Sequence, residues 1–413
     1  MRVVVFISVL FTLLYGLNLA LLVTLHLPWW RRLWVRRAAK WLPVVAVSCA
    51  FAWALARHFD SPTIISVGAG GIACILVLMM SQLVALLLTS PFRGVELLID
   101  AVRRFSVGPS TAGVQPADRR RFLRSALSAV PLLTASTASY GVMRSSTAAR
   151  ITPVNLRYLG LAPGLDGFKI LHLSDIHLGS YIDREDLEQL AQRASQFNPD
   201  LIAVTGDICD HMPWYLDALR IVEQMRPPAG VFASLGNHEH YGGLDQVLRS
   251  FERSQVRLLV DDGQTLRVRA ADAGATAGTA ALFISGCDDP QSMRGPESLA
   301  KLRRFVDKSQ HNAPVEAFRV LMSHRSQAFD YAAPLGVDLT LSGHTHGFQL
   351  GSGGRSLFEN FYPDHYIWGH YQKGNQQLYT SAGVGHWFPF RLGCPPEAPL
   401  ITLSAHEPHS TTT

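Results

Sequence analysis

Apolar and polar residues follow two different rhythms along this chain of 413 residues, and the change falls near residue 150. Before it, apolar residues come in long unbroken runs. Residues 3–27 contain no Asp, Glu, Lys or Arg, and at 25 residues the run exceeds the ~20 that a helix needs to cross a hydrocarbon core. Residues 64–88 form a second such span. Residues 41–56, which include Pro43, form a shorter one. Residues 93–107 place apolar side chains at 95, 98, 99, 102 and 105 with Arg103 and Arg104 between them. That spacing predicts either a short amphipathic helix on a membrane surface or an extension of the span before it. Residues 108–117, rich in Gly, Pro, Ser and Thr, read as a linker.

After about residue 153 the apolar runs shorten to strand length. Residues 168–173, 201–205, 231–235, 318–322, 337–341 and 399–403 predict buried strands, and 183–197 and 214–225 predict amphipathic helices between them. Strands alternating with helices argue for an α/β layered domain.

Composition divides the chain at the same place. Hydrophobic residues make up 48% and the mean hydropathy is +0.13, high for a wholly soluble protein. Residues 1–150 hold 16 Lys and Arg against 4 Asp and Glu, which leaves 21 against 28 for the rest. The formal net charge of +5 therefore describes neither part, and nucleic-acid binding does not follow from it.

The basic residues flank the apolar runs. Pro28-Trp29-Trp30 reads as an interfacial anchor, and the cluster Arg31, Arg32, Arg36, Arg37 and Lys40 predicts a cytoplasmic loop. Insertion of all three spans keeps both basic loops inside and puts the amino terminus and residues 57–61 outside. Arg119-Arg120-Arg121-Phe122-Leu123-Arg124, followed by the mildly apolar residues 125–143, resembles a twin-arginine export signal. The alternative is a basic flank before a fourth membrane helix. Both place everything beyond about residue 145 outside the cytoplasm.

Five cysteines, at 49, 74, 209, 287 and 394, include no Cys-x-x-Cys pair, so neither a disulfide framework nor a thiolate zinc site is indicated. Cys49 and Cys74 fall in apolar spans as packing residues. A bridge among Cys209, Cys287 and Cys394 stays open.

The candidate chemistry gathers where predicted strands stop. Asp175 and His177 follow the first, Gly206-Asp207 the second, and Gly236-Asn237-His238-Glu239 the third; His324 follows the fourth, and Gly343-His344-Thr345-His346 the fifth. In open α/β sheets, sites form outside the carboxyl ends of the strands, so these residues are expected to converge. Mixed Asp, Asn and His ligation suits Mn, Fe, Zn or Ni and is poor for Ca, which prefers oxygen alone.

This set, over residues 168–350, resembles the calcineurin-like metallophosphoesterase superfamily, whose motifs run Asp-x-His, Gly-Asp, Gly-Asn-His-Asp/Glu, His and Gly-His-x-His. The resemblance implies a four-layer α-β-β-α sandwich, here preceded by an all-α transmembrane region. It also implies two divalent ions, the first held by Asp175, His177, Asp207 and His346, the second by Asp207, Asn237, His324 and His344. His238 would be the catalytic histidine. Glu239 stands where Asp is commoner and would orient His238.

The implied reaction is hydrolysis of phosphomono- or phosphodiester bonds by a hydroxide bridging the ions. The expected layout is three transmembrane helices in 1–92, and a cytoplasmic linker with an amphipathic helix and Arg-rich motif in 93–124. Residues 125–143 are a fourth membrane segment or twin-arginine-like signal, and 150–405 the catalytic domain, outside the cytoplasmic membrane.

Residues 377–403 further resemble the membrane-associated or exported branch that includes UDP-diacylglucosamine hydrolase-like enzymes. A lipid-linked pyrophosphatase or phospholipid phosphodiesterase is the alternative activity, and a metal- or phosphate-binding membrane sensor the alternative class. Expected partners are a phosphoester substrate, lipid-linked or not, the membrane and the twin-arginine export machinery, with no nucleic acid. His172 and His240 read as structural. His211, Trp214 and Tyr215 read as a substrate mouth or a packed helix start, the aromatic residues 358–371 as an interfacial loop or a packed cap, and residues 272–279 as a hairpin loop.

Overall fold

A computed structural model describes residues 2–58, 62–106, 117–270, 278–293, 295–362, 366–386 and 388–406. The expected outer turn at 57–61, the linker and the 272–279 loop fall largely outside these residues. The chain divides into two compact units, one of Met1–Arg144 with Phe388–Phe390 and one of Ser145–Trp387 with Arg391–Thr413.

The first unit is helical: α1 Arg2–Thr24, α2 Leu27–Trp30, α3 Leu33–His58, α4 Pro62–Ser106 and α5 Ala117–Ser145. Among the described residues, 93–106 form no separate amphipathic helix. They continue α4 through Pro91, which has no N–H to give the ladder but does not stop the helix here. Among the described residues, Gly70–Leu98 is long and apolar enough to cross a membrane, and Ser8–Thr24 is a shorter apolar helix. The twin-arginine-like residues and the segment 125–143 lie within α5, which contains Pro131. Asn18 ties α1 to α4, its Nδ2 donating to the carbonyls of Leu14 (2.8 Å) and Met79 (3.1 Å).

The second unit runs β1 Arg150–Tyr158, β2 Lys169–Leu173, α6 Arg184–Ser195, β3 Leu201–Thr205, α7 Tyr215–Glu223, β4 Val231–Ser234, α8 Asn237–Gly242, α9 Leu244–Glu252 and β5 Arg257–Leu258. It continues with β6 Asp262–Val268, β7 Ala280–Gly286, α10 Pro296–Ser309, β8 Phe318–Met322, α11 Phe329–Ala332 and β9 Leu339–Ser342. A small hairpin, β10 Gly351–Ser352 with β11 Arg355–Ser356, precedes β12 Gly369–Lys373, β13 Gln376–Thr380 and β14 Glu397–Ala405. These make two six-stranded mixed sheets, ordered β1-β14-β2-β3-β4-β5 and β12-β13-β9-β8-β7-β6.

Successive strand residues point to opposite faces, so each central strand serves two cores. Ile170, Leu201, Ala203 and Phe232 of the first sheet meet Ile284, Val320, Met322 and Leu339 of the second. The intervening Leu171, Ile202, Val204 and Ala233 turn the other way, onto Leu187 and Leu190 of α6, Leu219 of α7 and Phe251 of α9. On the far face of the second sheet Leu321 packs with Leu302 and Val306 of α10. Helix α6 starts at a reciprocal cap between Asp183 and Asp186. With both faces of both sheets covered, the ends of the central strands are the places where polar residues can gather.

Candidate metal centre

The loops that leave β2, β3, β4, β8 and β9 all turn toward one point. Asp175, His177, Asp207, His344 and His346 adopt left-handed backbone with φ of 51°, 50°, 52°, 70° and 51°. An L-residue pays ~1–2 kcal/mol for that region, and strain of this kind persists where the surroundings over-determine it. Two glycines make the close approach possible. A β-carbon on Gly343 would collide with Ser174 Oγ and the Asp175 carboxylate, and one on Gly236 with Asp207. The His344 N–H can therefore reach the two Asp175 oxygens at 3.2 and 3.0 Å.

The donor atoms fall into overlapping groups. Those of Asp175, His177 and His346 lie within 4.8 Å of one another, as do those of Asp207, His324 and His344, and those of His177, Asp207 and His238. Asp207 Oδ2 is 3.2 Å from His324 Nε2 and 3.7 Å from His177 Nε2, so it stands between the first two groups. Asn237 Oδ1 is 3.2 Å from His324 Nε2, and His177 Nε2 is 3.3 Å from His346 Nε2. All seven residues expected as ligands are thus brought together, although they come from both sheets.

The charges explain why such a cluster suits a cation. Burial opposes ionisation of Asp175 and Asp207, yet the histidines around them hold both carboxyls below the usual range. Burial likewise opposes a charged His324, but Asp207 outweighs it and pushes the ring up to about 9. His344 and His346 are held below the ordinary value, first by burial, and remain neutral donors. Ionised carboxylates facing imidazoles whose nitrogens converge make the donor chemistry of a metal centre, and these His and Asp groups could hold a dinuclear one.

His238 and Glu239 separate. His238 Nδ1 lies 2.6 Å from Asp210 Oδ1, and its side chain is 33% exposed, where those of His177, His324 and His346 are buried. Asp210 also takes His177 Nδ1 at 3.2 Å. Glu239 does not hold the histidine. Its carboxylate accepts the N–H groups of Asp207 (2.9 Å), Ile208 (2.9 Å) and Gly236 (2.8 Å) and the Tyr215 hydroxyl (3.1 Å). It knots the β3 and β4 loops together from beneath, with Tyr215 packed against it rather than at a substrate mouth.

Sequence patterns did not single out Asp210, Asp289 or Arg325. Arg325 is 6% exposed; its Nε donates to Asp289 Oδ2 at 2.6 Å and its Nη2 to Asp289 Oδ1 at 3.2 Å, while Nη1 meets His344 Nε2. Its one sequence signal was an Arg immediately after a ligand-type His. Arg391 is fully buried and donates to the carbonyls of Ala382 and Gly385, both at 2.7 Å, under His346.

The residues read as structural are so placed. His172 Nε2 bonds Thr205 Oγ1 at 2.9 Å, and burial lowers the ring to about 3. His240 bonds Asp288. The aromatic segment divides: Trp368 is buried and donates Nε1–H to Glu397 at 2.9 Å, while Phe361 is 75% exposed in a cluster with Phe348, Phe358 and Tyr362.

Residues 168–348 match the calcineurin-like phosphoesterase family. The chain is 30% identical over 248 residues to the metallophosphoesterase YkuE of Bacillus subtilis, covering 59% of this chain and 81% of that protein. It is 27% identical to a transmembrane protein with metallophosphoesterase domain of Danio rerio, covering 66% and 61%. Against the phosphodiesterase YaeI of Escherichia coli (strain K12) it is 24% identical, covering 69% and 98%. The transmembrane name of the Danio relative and the apolar Gly70–Leu98 helix together suggest membrane association.

Proposed function

Because the chain belongs to the calcineurin-like phosphoesterase family and is a hydrolase acting on ester bonds, we propose that it cleaves phosphomono- or phosphodiester bonds at this cluster, with water as nucleophile. The observation that carries the reading is the position of Asp207 between the two donor groups. Asp175, His177, Asp207 and His346 would hold one divalent ion, and Asp207, Asn237, His324 and His344 the other. Such ions lower the pKa of water and polarise a phosphoryl oxygen. The mixed donors favour Mn, Fe, Zn or Ni over Ca.

The chain's own residues supply the rest. Asp210 accepts from His238 Nδ1 and fixes the ring, so Nε2 faces the donor cluster, 3.9 Å from Asp207 Oδ2, where a proton on it can pass to the leaving oxygen. Glu239 keeps the loops of Asp207 and Asn237 in register. The two sheets with their outer helices are read as the four-layer sandwich. The name of the Escherichia coli relative favours phosphodiesters.

The arginine bias of residues 1–150 and the twin-arginine-like motif support a multi-pass chain with this domain on the outer face of the cytoplasmic membrane. The exposed cluster of Phe348, Phe361 and Tyr362, starting two residues beyond His346, favours a second reading in which the substrate is lipid-linked.

The test is turnover of bis-p-nitrophenyl phosphate beside p-nitrophenyl phosphate by the full chain in detergent, after chelation and after addition of Mn, Fe, Zn or Ni. Metal-restored hydrolysis is expected; no turnover with any of the four would leave the sensor reading. An alkaline phosphatase fused to the carboxyl terminus that stays inactive would sink the outer-face placement.

A further inference from the structure

The helical unit holds a partly open cavity of about 810 Å³, within the size range of small-molecule sites, that the hydrolytic reaction does not use. Its wall is mainly apolar, with Leu19 and Leu22 of α1, Leu42 of α3 and Leu86 of α4 among its lining. One end is different. Arg32, Arg93, Glu96 and His26 all line it, close to Trp29 and Trp34. Arg93 reaches the Leu25 carbonyl at 3.3 Å and pairs with Glu96 at 2.5 Å. Arg32 stacks on the Trp29 ring at 5.4 Å, and His26 Nε2 is 3.4 Å from Ser90 Oγ. The charged end thus carries two guanidiniums against one carboxylate, framed by the aromatic residues that favour a membrane–water boundary.

A second observation lies deeper. Asn18 is only 7% exposed and lines the same cavity, and both hydrogen bonds recorded for it use Nδ2. Among the described residues its Oδ1 has no partner. A buried acceptor on an apolar wall calls for a donor from an occupant. It sits roughly 9 Å along the helix axis from the carboxyl end of α1 at Thr24, at 1.5 Å per residue.

We propose that this cavity binds an anionic membrane lipid. The phosphate lies among Arg32, Arg93 and His26, the acyl chain follows Leu19 and Leu22 along α1, and Asn18 Oδ1 accepts from a hydroxyl or amide N–H carried below the headgroup. Basic pockets between helices recognise phosphate headgroups by charge. A free phosphate would satisfy the arginines but leave the apolar wall uncovered, which is why the occupant is a lipid.

The experiment uses the full chain, delipidated in detergent, with native mass spectrometry as the readout. Phosphatidylglycerol, phosphatidylcholine of the same acyl composition, and inorganic phosphate are added in turn. One phosphatidylglycerol per chain is expected to bind at least roughly tenfold tighter than phosphatidylcholine. Arg32→Ala and Leu19→Trp, the second filling the cavity without altering its charge, should each weaken that binding by a similar factor. Arg93→Ala is a further variant, but it strands Glu96, so the first two carry the test if it misfolds. Gel filtration and hydrolytic rate serve as folding controls. Equal retention of the two lipids, undiminished binding in both Arg32→Ala and Leu19→Trp, or inorganic phosphate binding as tightly as the lipid would overturn the proposal.

Discussion

Asp210 Oδ1 lies 2.6 Å from His238 Nδ1, so the carboxylate that positions this ring comes from the loop after β3 and not from the adjacent Glu239. The same carboxylate contacts His177 Nδ1 at 3.2 Å, so one group fixes both the ring proposed for proton transfer and a candidate ligand. Burial opposes charge on His238, but Asp207 and Asp210 overcome it and push the ring up to about 10.

Two substitutions separate those duties. His238→Ala should lower kcat by ~10²–10⁴ with metal content unchanged, the usual weight of a positioned acid. Asp210→Asn should lower kcat and also weaken metal affinity by ~10–100-fold, because it releases His177. The double variant should lose little beyond His238→Ala when assayed at saturating metal. Fully additive losses would mean that Asp210 acts independently of the ring.

Metal should stabilise the fold as well as the reaction. The donors lie on loops from both sheets, with five of them held in left-handed backbone, so an ion that binds only this arrangement shifts the folding equilibrium by mass action. At about 100 times its Kd, one ion adds ~2.7 kcal/mol. Melting followed by circular dichroism should show a midpoint that climbs with metal and falls on chelation. Asp207→Asn, which weakens both donor groups, should abolish that dependence.

The pair Arg325–Asp289 is buried on both sides, at 7% and 0% side-chain exposure. Asp289→Ala strands a guanidinium beside His344 and should cost ~3–5 kcal/mol in urea unfolding, while Arg325→Met with Asp289→Leu should recover most of it. A double variant as unstable as the single one would show that the pair contributes more than mutual neutralisation.

That pair marks the limit of what the sequence discloses. Asp175, Asp207, Asn237, His324 and His344 were legible because each follows a short apolar run, and strand ends in an open α/β sheet face one edge. Asp210 and Asp289 follow no such rule. They act through tertiary contact, and an Asp in a loop is ordinary turn chemistry until its partner is known. The left-handed φ angles at Asp175 and Asp207 were equally hidden, since nothing in an L-residue advertises them. In the helical unit, the spacing at 93–107 left a separate helix or an extension open, and α4 continues through to Ser106.

The three cysteines of the second unit are free and buried, so the open question of a bridge among them is answered in the negative. Burial pushes the Cys287 and Cys394 thiols up to about 12. A thiol reagent should leave Cys209, Cys287 and Cys394 untouched in the native chain and modify all three only in denaturant. Rapid native modification of any of them would show that its segment opens.

His240 supplies a pH test at a residue outside the proposed ligand set. Its Nε2 lies 2.8 Å from Asp288 Oδ1; that hydrogen bond raises the ring above its ordinary 6.5, and burial only partly offsets it. A histidine whose folded pKa exceeds its unfolded value contributes stability that is fully present below the unfolded value. The contribution is lost as the pH climbs through the folded one. His240→Gln should therefore destabilise the chain more at about pH 5.5 than at about pH 8.5 in urea titrations, and Asp288→Asn should mimic it. A loss of equal size at both pH values would assign the residue a packing role without its charge.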